Sequence, residues 1–173
     1  MDADRTVTEA MGNESAAMSE HKASLRWSLP PGADFARGRY SREHTWTFDG
    51  GITVPASPSP SVVPVPFSNP ANVDPEEAFV ASVSSCHLLT FLFIASRQGF
   101  LVESYADEAV GVMTKGANGV PWVSAITLNV RITYGGPKRP TAEEEEHLHH
   151  LAHVQCFIAN SIKTAVTVVK AAS

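Results

Sequence analysis

Two cysteines far apart in the chain, Cys86 and Cys156, are the side chains best suited to covalent chemistry. Cys86 sits in Ala81-Ser82-Val83-Ser84-Ser85-Cys86-His87, and Cys156 in His153-Val154-Gln155-Cys156-Phe157-Ile158-Ala159-Asn160-Ser161. A sparse thiol pair at helical positions points to redox chemistry; the alternative is two buried cysteines acting as small hydrophobes. A reactive thiol needs its thiolate stabilised by a helix N-terminus or a cation. Cys86 lies mid-helix, so the dipole at the helix start gives it little, and a cation must come from elsewhere. Arg42 is the leading candidate, with Arg37 and Arg39 in a glycine-containing turn as alternatives. The competing role for Arg42 is a surface ion pair with Glu43 or with a helix acid. Glu76 offers a bidentate anchor for a guanidinium. It lies ten positions before Cys86 on the same helix, about 15 Å of rise, which favours a glutamate acting from a second subunit. A different chemistry is offered by His147, His149, His150 and His153. His149 and His153 are four apart, and His153 and Cys156 three apart, a spacing that puts three metal ligands on one helix face. The acidic run Glu143 to Glu146 beside them reads instead as a solvated helix face.

The elements that must position these groups follow from pattern. Residues 23–29 alternate apolar and polar and read as a half-buried strand that Pro30-Pro31-Gly32 ends. A second alternating run places Arg42, His44, Trp46 and Phe48 on one side and closes at Asp49-Gly50-Gly51. Prolines recur through residues 52–70, predicting an extended loop with little capacity to pair. The clearest element is a helix with Asp74 as N-cap, Pro75 at N1, Glu77 at N3 and Gly99 beyond its end. It is apolar around most of its circumference, which predicts burial on most sides. Residues 100–114 and 120–134 read as two long strands around Lys115-Gly116-Ala117-Asn118-Gly119. Thr141 and Glu144 cap a second helix running toward Cys156, and residues 165–169 form a last short strand. The order predicts an α+β fold of antiparallel sheets around a long buried helix. Residues 1–20 read as a flexible extension with at most a weak helix over 7–18, and residues 21–173 as a single domain.

Hydrophobic residues make up 43% of the chain, enough for a core. The charged fraction of 18% is below the usual quarter or so, suggesting surface covered by a second subunit. A net charge of −5 with scattered Lys and Arg argues against nucleic acid as the main partner. No uninterrupted apolar run reaches the ~18 residues of a membrane span. The polar N-terminal stretch has no apolar signal core, which places two reduced thiols in a cytoplasmic setting.

Asp74-Pro75-Glu76-Glu77-Ala78-Phe79, Ser84-Ser85-Cys86-His87-Leu88-Leu89 and Ala152-His153-Val154-Gln155-Cys156-Phe157-Ile158-Ala159-Asn160-Ser161 together resemble the OsmC/Ohr family of organic hydroperoxide reductases, in a branch with Cys-His-Leu-Leu at the first cysteine. The resemblance spans about residues 23–169. It implies an intertwined homodimer with active sites at the subunit interface, no bound metal or other cofactor, and reduction of alkyl or fatty-acid hydroperoxides by an external dithiol of lipoyl type. By the same resemblance Cys86 is the peroxidatic thiol, Cys156 the resolving thiol, and Glu76 the glutamate after the helix-start proline. The activating arginine falls to Arg42, within Tyr40-Ser41-Arg42-Glu43-His44, because the Gly-Gly-Arg-Asp-Gly turn of the hydroperoxide-resistance branch is absent. His87 stands where better-known members carry an aromatic residue, and Phe157 where they carry proline. Trp46, Phe48, Phe67, Phe79 and Leu89 are expected near the site, where they would desolvate an alkyl tail. The other reading of the same fold is a metal-binding, or a non-catalytic ligand-binding or sensing, protein.

Overall fold

The computed structural model describes residues 19–170; the expected helix over 7–18 and most of the N-terminal extension lie outside the described residues. The first three strands, β1 (Ala23–Arg26), β2 (His44–Phe48) and β3 (Thr53–Ala56), form an antiparallel sheet in that order. Trp46 in the central strand faces Leu25 on one side and Val54 on the other. The Asp49-Gly50-Gly51 turn closes the β2–β3 hairpin, with Gly51 at φ +87°, a backbone region open to glycine without cost. Two expectations change here. Arg42 precedes β2 rather than lying within it, and residues 53–56 pair with β2 although Pro55 is among them. Proline is tolerated there because β3 is an edge strand, where a missing N–H breaks no second ladder. Beyond β3 the proline-rich loop is held by Ser57: its amide donates to the Val73 carbonyl at 3.0 Å, and its hydroxyl accepts from the Asn69 amide at 2.8 Å.

Helix α1 (Pro75–Arg97) begins and ends as its sequence requires. The Glu77 amide donates to Asp74 Oδ1 at 2.7 Å, and the Asp74 amide donates to Glu77 Oε2 at 3.1 Å. Gly99, at φ +77°, turns the chain out of the helix. In the single chain α1 buries one stripe, formed by Val83, His87, Phe91, Ile94 and Ala95, while Leu89 is 64% exposed. The expected burial on most sides is therefore not met within one chain: neighbours exist on the sheet side and the α2 side only. α1 is also long and apolar enough on average to cross a membrane by length and composition. Counting uninterrupted apolar runs missed this, because Ser, Thr, Cys and His interrupt the runs without lowering the average enough.

The second sheet is organised by β6 (Pro121–Gly135), 15 residues long. One edge of β6 receives β4 (Leu101–Asp107) and β5 (Val110–Lys115), both antiparallel; the other receives β7 (Ala165–Lys170), parallel. The single arm expected over 100–114 is thus broken at Glu108 and Ala109. There the Asn129 side chain donates to the Glu108 carbonyl at 2.7 Å, occupying a backbone group that a continuous ladder would use. Helix α2 (Ala142–Gln155) carries the expected Thr141/Glu144 capping box and crosses back so that β7 can run parallel to β6. Two clusters make the core. Val83 of α1 packs with Ile126, Leu128 and Val130 of β6, and Phe91, Ile94 and Ala95 pack with Phe100, Leu148 and Ala152. Each large side chain buried in this way contributes about 1.5–3 kcal/mol.

Candidate active site

The two helices deliver the two cysteines by different means. Cys86 projects from the middle of α1 and is partly exposed, whereas Cys156 caps the end of α2 and is 1% exposed. Cys156 leaves helical geometry at ψ 115°, and the chain then tightens into a short 3-10 turn (Ala159–Ser161). Asn160 fixes that turn: its amide donates to the Cys156 carbonyl at 3.0 Å, and its side-chain nitrogen donates to the carbonyls of Val154 at 2.7 Å and Cys156 at 3.0 Å. As a result the Ile158 amide donates to Cys86 Sγ at 3.5 Å and the Ala159 amide donates to Cys156 Sγ at 3.3 Å. The thiols are unbonded, and two successive amides of one turn reach them, Ile158 for Cys86 and Ala159 for Cys156. Burial pushes the Cys156 thiol up to about 11, and contact with Cys86 adds to the rise, while the Ala159 amide opposes it. Cys156 is therefore a thiol, not a thiolate, at neutral pH.

Cys86 opens onto a cavity of about 460 Å³ lined by Ser82, Ser85, Leu89, Thr90, Phe93, Phe157 and Ile158. Of the five apolar residues expected near the site, Leu89 is in this wall. Phe93, and Phe157, noted in the sequence only as standing in place of a proline, supply its aromatic surface. Glu76 lies in a neighbouring, larger cavity of about 820 Å³, which shares Ser85 with the first and also contains Ser84, Tyr105 and Asp107. The Ser84 hydroxyl donates to Asp107 Oδ2 at 2.5 Å. Glu76 Oε2, Asp107 Oδ1 and the Tyr105 hydroxyl are buried without a hydrogen-bond partner among the described residues.

Arg42 is elsewhere in the chain. Its guanidinium stacks 4.1 Å from the Tyr40 ring centroid and donates to the carbonyls of Tyr40 at 3.1 Å and Gly38 at 3.4 Å. It lines a third cavity with Leu25, Trp27, Phe35 and His44, and it is among the lining residues of neither the Cys86 nor the Glu76 cavity. Nor does it pair with Glu43, whose carboxylate accepts from Asn69, Asn72 and Ser41, contacts that hold its carboxyl below the usual range. Arg37 pairs with Asp34 at 3.7 Å, and the Arg39 amide donates to the Asp34 carbonyl at 2.9 Å. A single chain thus joins Cys86 to Cys156 and leaves Glu76 and Arg42 in separate cavities.

Of the three residues expected to share a face, His149 and Cys156 are buried and His153 is half-buried, while His147 and His150 are exposed; no group of three or more His, Cys, Asp or Glu among the described residues is arranged to hold a metal ion. His149 instead meets His87 of α1: the rings stack at 5.4 Å and 9°, with His87 Nε2 3.1 Å from His149 Nδ1. Both are buried, 1% and 6% exposed, and burial holds each imidazole down at about 4. This pair was not anticipated from sequence. Its signal was present in the four-residue spacing Val83, His87, Phe91, which puts His87 on the buried stripe.

No curated protein matches the chain. Among solved structures, an OsmC-like protein of unknown function from Vibrio cholerae is 51% identical with a TM-score of 0.85, covering 88% of this chain and 99% of that one. An organic hydroperoxide resistance protein OsmC from Legionella pneumophila (15% identical, TM-score 0.68, covering 90% of this chain and 99% of that one) shares the fold. So does the organic hydroperoxide resistance protein OhrB of Bacillus subtilis (18%, TM-score 0.61, covering 90% and 98%). Residues 68–170, which include both cysteine-bearing helices and the turn that joins their sulfurs, match the OsmC family, described as OsmC-like protein, and the chain belongs to that family.

Proposed function

We propose that the protein is a thiol-dependent peroxidase that reduces organic hydroperoxides. The observation that carries this reading is the convergence of two unbonded thiols on one turn, whose Ile158 and Ala159 amides donate to Cys86 and Cys156, the first partly exposed beneath an apolar cavity and the second buried. The Cys86 thiolate attacks the distal oxygen of an alkyl or fatty-acid hydroperoxide; the O–O bond breaks, an alcohol leaves, and sulfur is oxidised to a sulfenic acid. Cys156 then forms the S–S bond, its proton leaving with the hydroxyl of the sulfenic acid as water. An external dithiol, of lipoyl type, reduces the disulfide by exchange and is itself oxidised. The Ile158 amide supports negative charge on Cys86, and Leu89, Phe93 and Phe157 favour an alkyl substituent over a bare peroxide.

Activation by a guanidinium is assigned to a second copy of the chain. The orphaned Glu76 oxygen, the open apolar face of α1 and the location of Arg42 away from Cys86 all favour a homodimer in which a second copy supplies to Cys86 the groups its own chain leaves remote, Arg42 as the guanidinium and Glu76 as its anchor. The proposed setting is the reducing cytoplasm. Replacing Cys86 with Ser is expected to abolish consumption of cumene hydroperoxide in the presence of a lipoyl dithiol; unchanged turnover overturns the assignment. Cys156→Ser is expected to accumulate a Cys86 sulfenate that dimedone traps, and absence of the adduct removes Cys156 from the resolving role.

A further inference from the structure

We propose that the His87–His149 pair is a positioning clamp for the two thiols, fixing α1 against α2 at the registration in which Cys86 and Cys156 can bond; this rests on the disulfide chemistry proposed above. The pair bridges the two helices that carry the cysteines: His87 follows Cys86 directly on α1, and His149 lies about two turns before Cys156 on α2. Its surroundings are apolar. Phe91 lies 4.6 Å from the His149 ring, and Leu148 and Ala152 are fully buried beside it. Apolar side chains alone would fill this space, and they tolerate sliding, because dispersion has no direction. A single hydrogen bond between two stacked rings has both direction and length. Disulfide formation needs that accuracy: the bond is about 2.05 Å long with a restricted dihedral, and small misplacements of reacting atoms carry large penalties in rate.

The proton assignment follows from the orphaned atom. His149 Nε2 is buried with no hydrogen-bond partner among the described residues. If His87 Nε2 donated, neutral His149 would carry its proton on Nε2 as an unpaired buried donor, the costlier arrangement. If His149 Nδ1 donates to His87 Nε2, the orphan is a bare lone pair, the less costly arrangement. The structure therefore assigns His149 as donor and His87 as acceptor.

The test compares His149→Phe, which keeps an aromatic ring against Phe91 and removes the donor, with His149→Asn, whose amide restores a donor near the Nδ1 position. The readout is the equilibrium between the Cys86–Cys156 disulfide and dithiothreitol, which reports the effective concentration of one thiol at the other and needs no peroxidase activity. His149→Phe is expected to lower that effective concentration about tenfold, the factor set by one hydrogen bond of ordinary net strength, and His149→Asn to return it to within about twofold of wild type. Under cumene hydroperoxide the dimedone-trappable sulfenate should persist about tenfold longer in His149→Phe. Equal values in both variants, whether at wild type or equally lowered, overturn the clamp. If His149→Phe does not fold, His87→Leu against His87→Gln gives the same comparison from the acceptor side. A wild-type protein that forms no sulfenate with peroxide overturns the peroxidase reading, while the exchange equilibrium still decides the clamp.

Discussion

Lowering the pH from 7 to 5 should destabilise this fold through two residues. His87 and His149 titrate at about 4 in the folded protein against an ordinary 6.5, principally because burial disfavours their charged forms; the nearby charges of His153 on His87, and of His87 and Lys170 on His149, add to this. The unfolded chain takes up protons near 6.5 and the folded chain only near 4, so between those values the unfolded state binds more protons and stability falls as pH falls. The contribution is fully present above about 6.5 and gone below about 4. The interval from 6.5 to about 4, at about 1.36 kcal/mol per pH unit for one proton, is about 3 kcal/mol. Only one proton is counted, because the rings share a hydrogen bond and a first charge opposes a second. Against a usual domain stability of about 5–15 kcal/mol, that loss is large. The carboxylates held low, Glu43 and Glu144, start from 4.5, so they overlap only the bottom of the histidine window and leave pH 5–6.5 to the imidazoles. Urea unfolding at half-unit steps from pH 7.5 to 4.5 measures the slope. Wild type should lose stability through the window, and a His87→Gln, His149→Asn double variant should be nearly flat from 7 to 5. A flat wild-type profile, or the same slope in both proteins, refutes the argument that these imidazoles are buried neutral.

Three further outcomes follow from the packing and the thiols. In Cys86→Ser, alkylation of Cys156 by iodoacetamide at pH 8 should run at least about tenfold slower than for a free thiol and accelerate as pH rises, because burial suppresses its thiolate; a free-thiol rate at pH 8 would contradict it. Gly111→Ala places a Cβ 2.5 Å from Val80 Cγ2, forcing β5 away from α1 at a cost of about 1–3 kcal/mol in chemical denaturation. Leu148→Ala empties a fully buried position between α1 and α2 and should cost about 2–5 kcal/mol, with thermal unfolding as the check.

Local chemistry was legible wherever one residue type has one physical use. Asp74, Pro75, Glu77 and Gly99 set both ends of α1, and Thr141 with Glu144 set the start of α2. Reading failed where the decisive partner is remote. Pro55 suggested a loop because nothing in residues 52–56 reveals that they lie at a sheet edge. The break between β4 and β5 depends on Asn129, across the sheet, claiming the Glu108 carbonyl. The same division holds at the site. The order and context of the cysteines carried the family resemblance, whereas the amides of Ile158 and Ala159 that meet their sulfurs arise from a turn whose geometry depends on Asn160. The placement of Arg42 away from Cys86 could not be read from strand alternation, because the run carrying Arg42 becomes a strand only at His44.

The parallel seating of β7 beside β6 ties the birth of the thiol pair to a late event in folding. Parallel strands cannot be joined by a tight hairpin, so α2 and the turn after Cys156 must span the crossover before Ala165 reaches Ala125. Contacts that close such long stretches of chain form slowly. Until that closure the turn that carries the Ile158 and Ala159 amides to the two sulfurs is tethered at its α2 end alone.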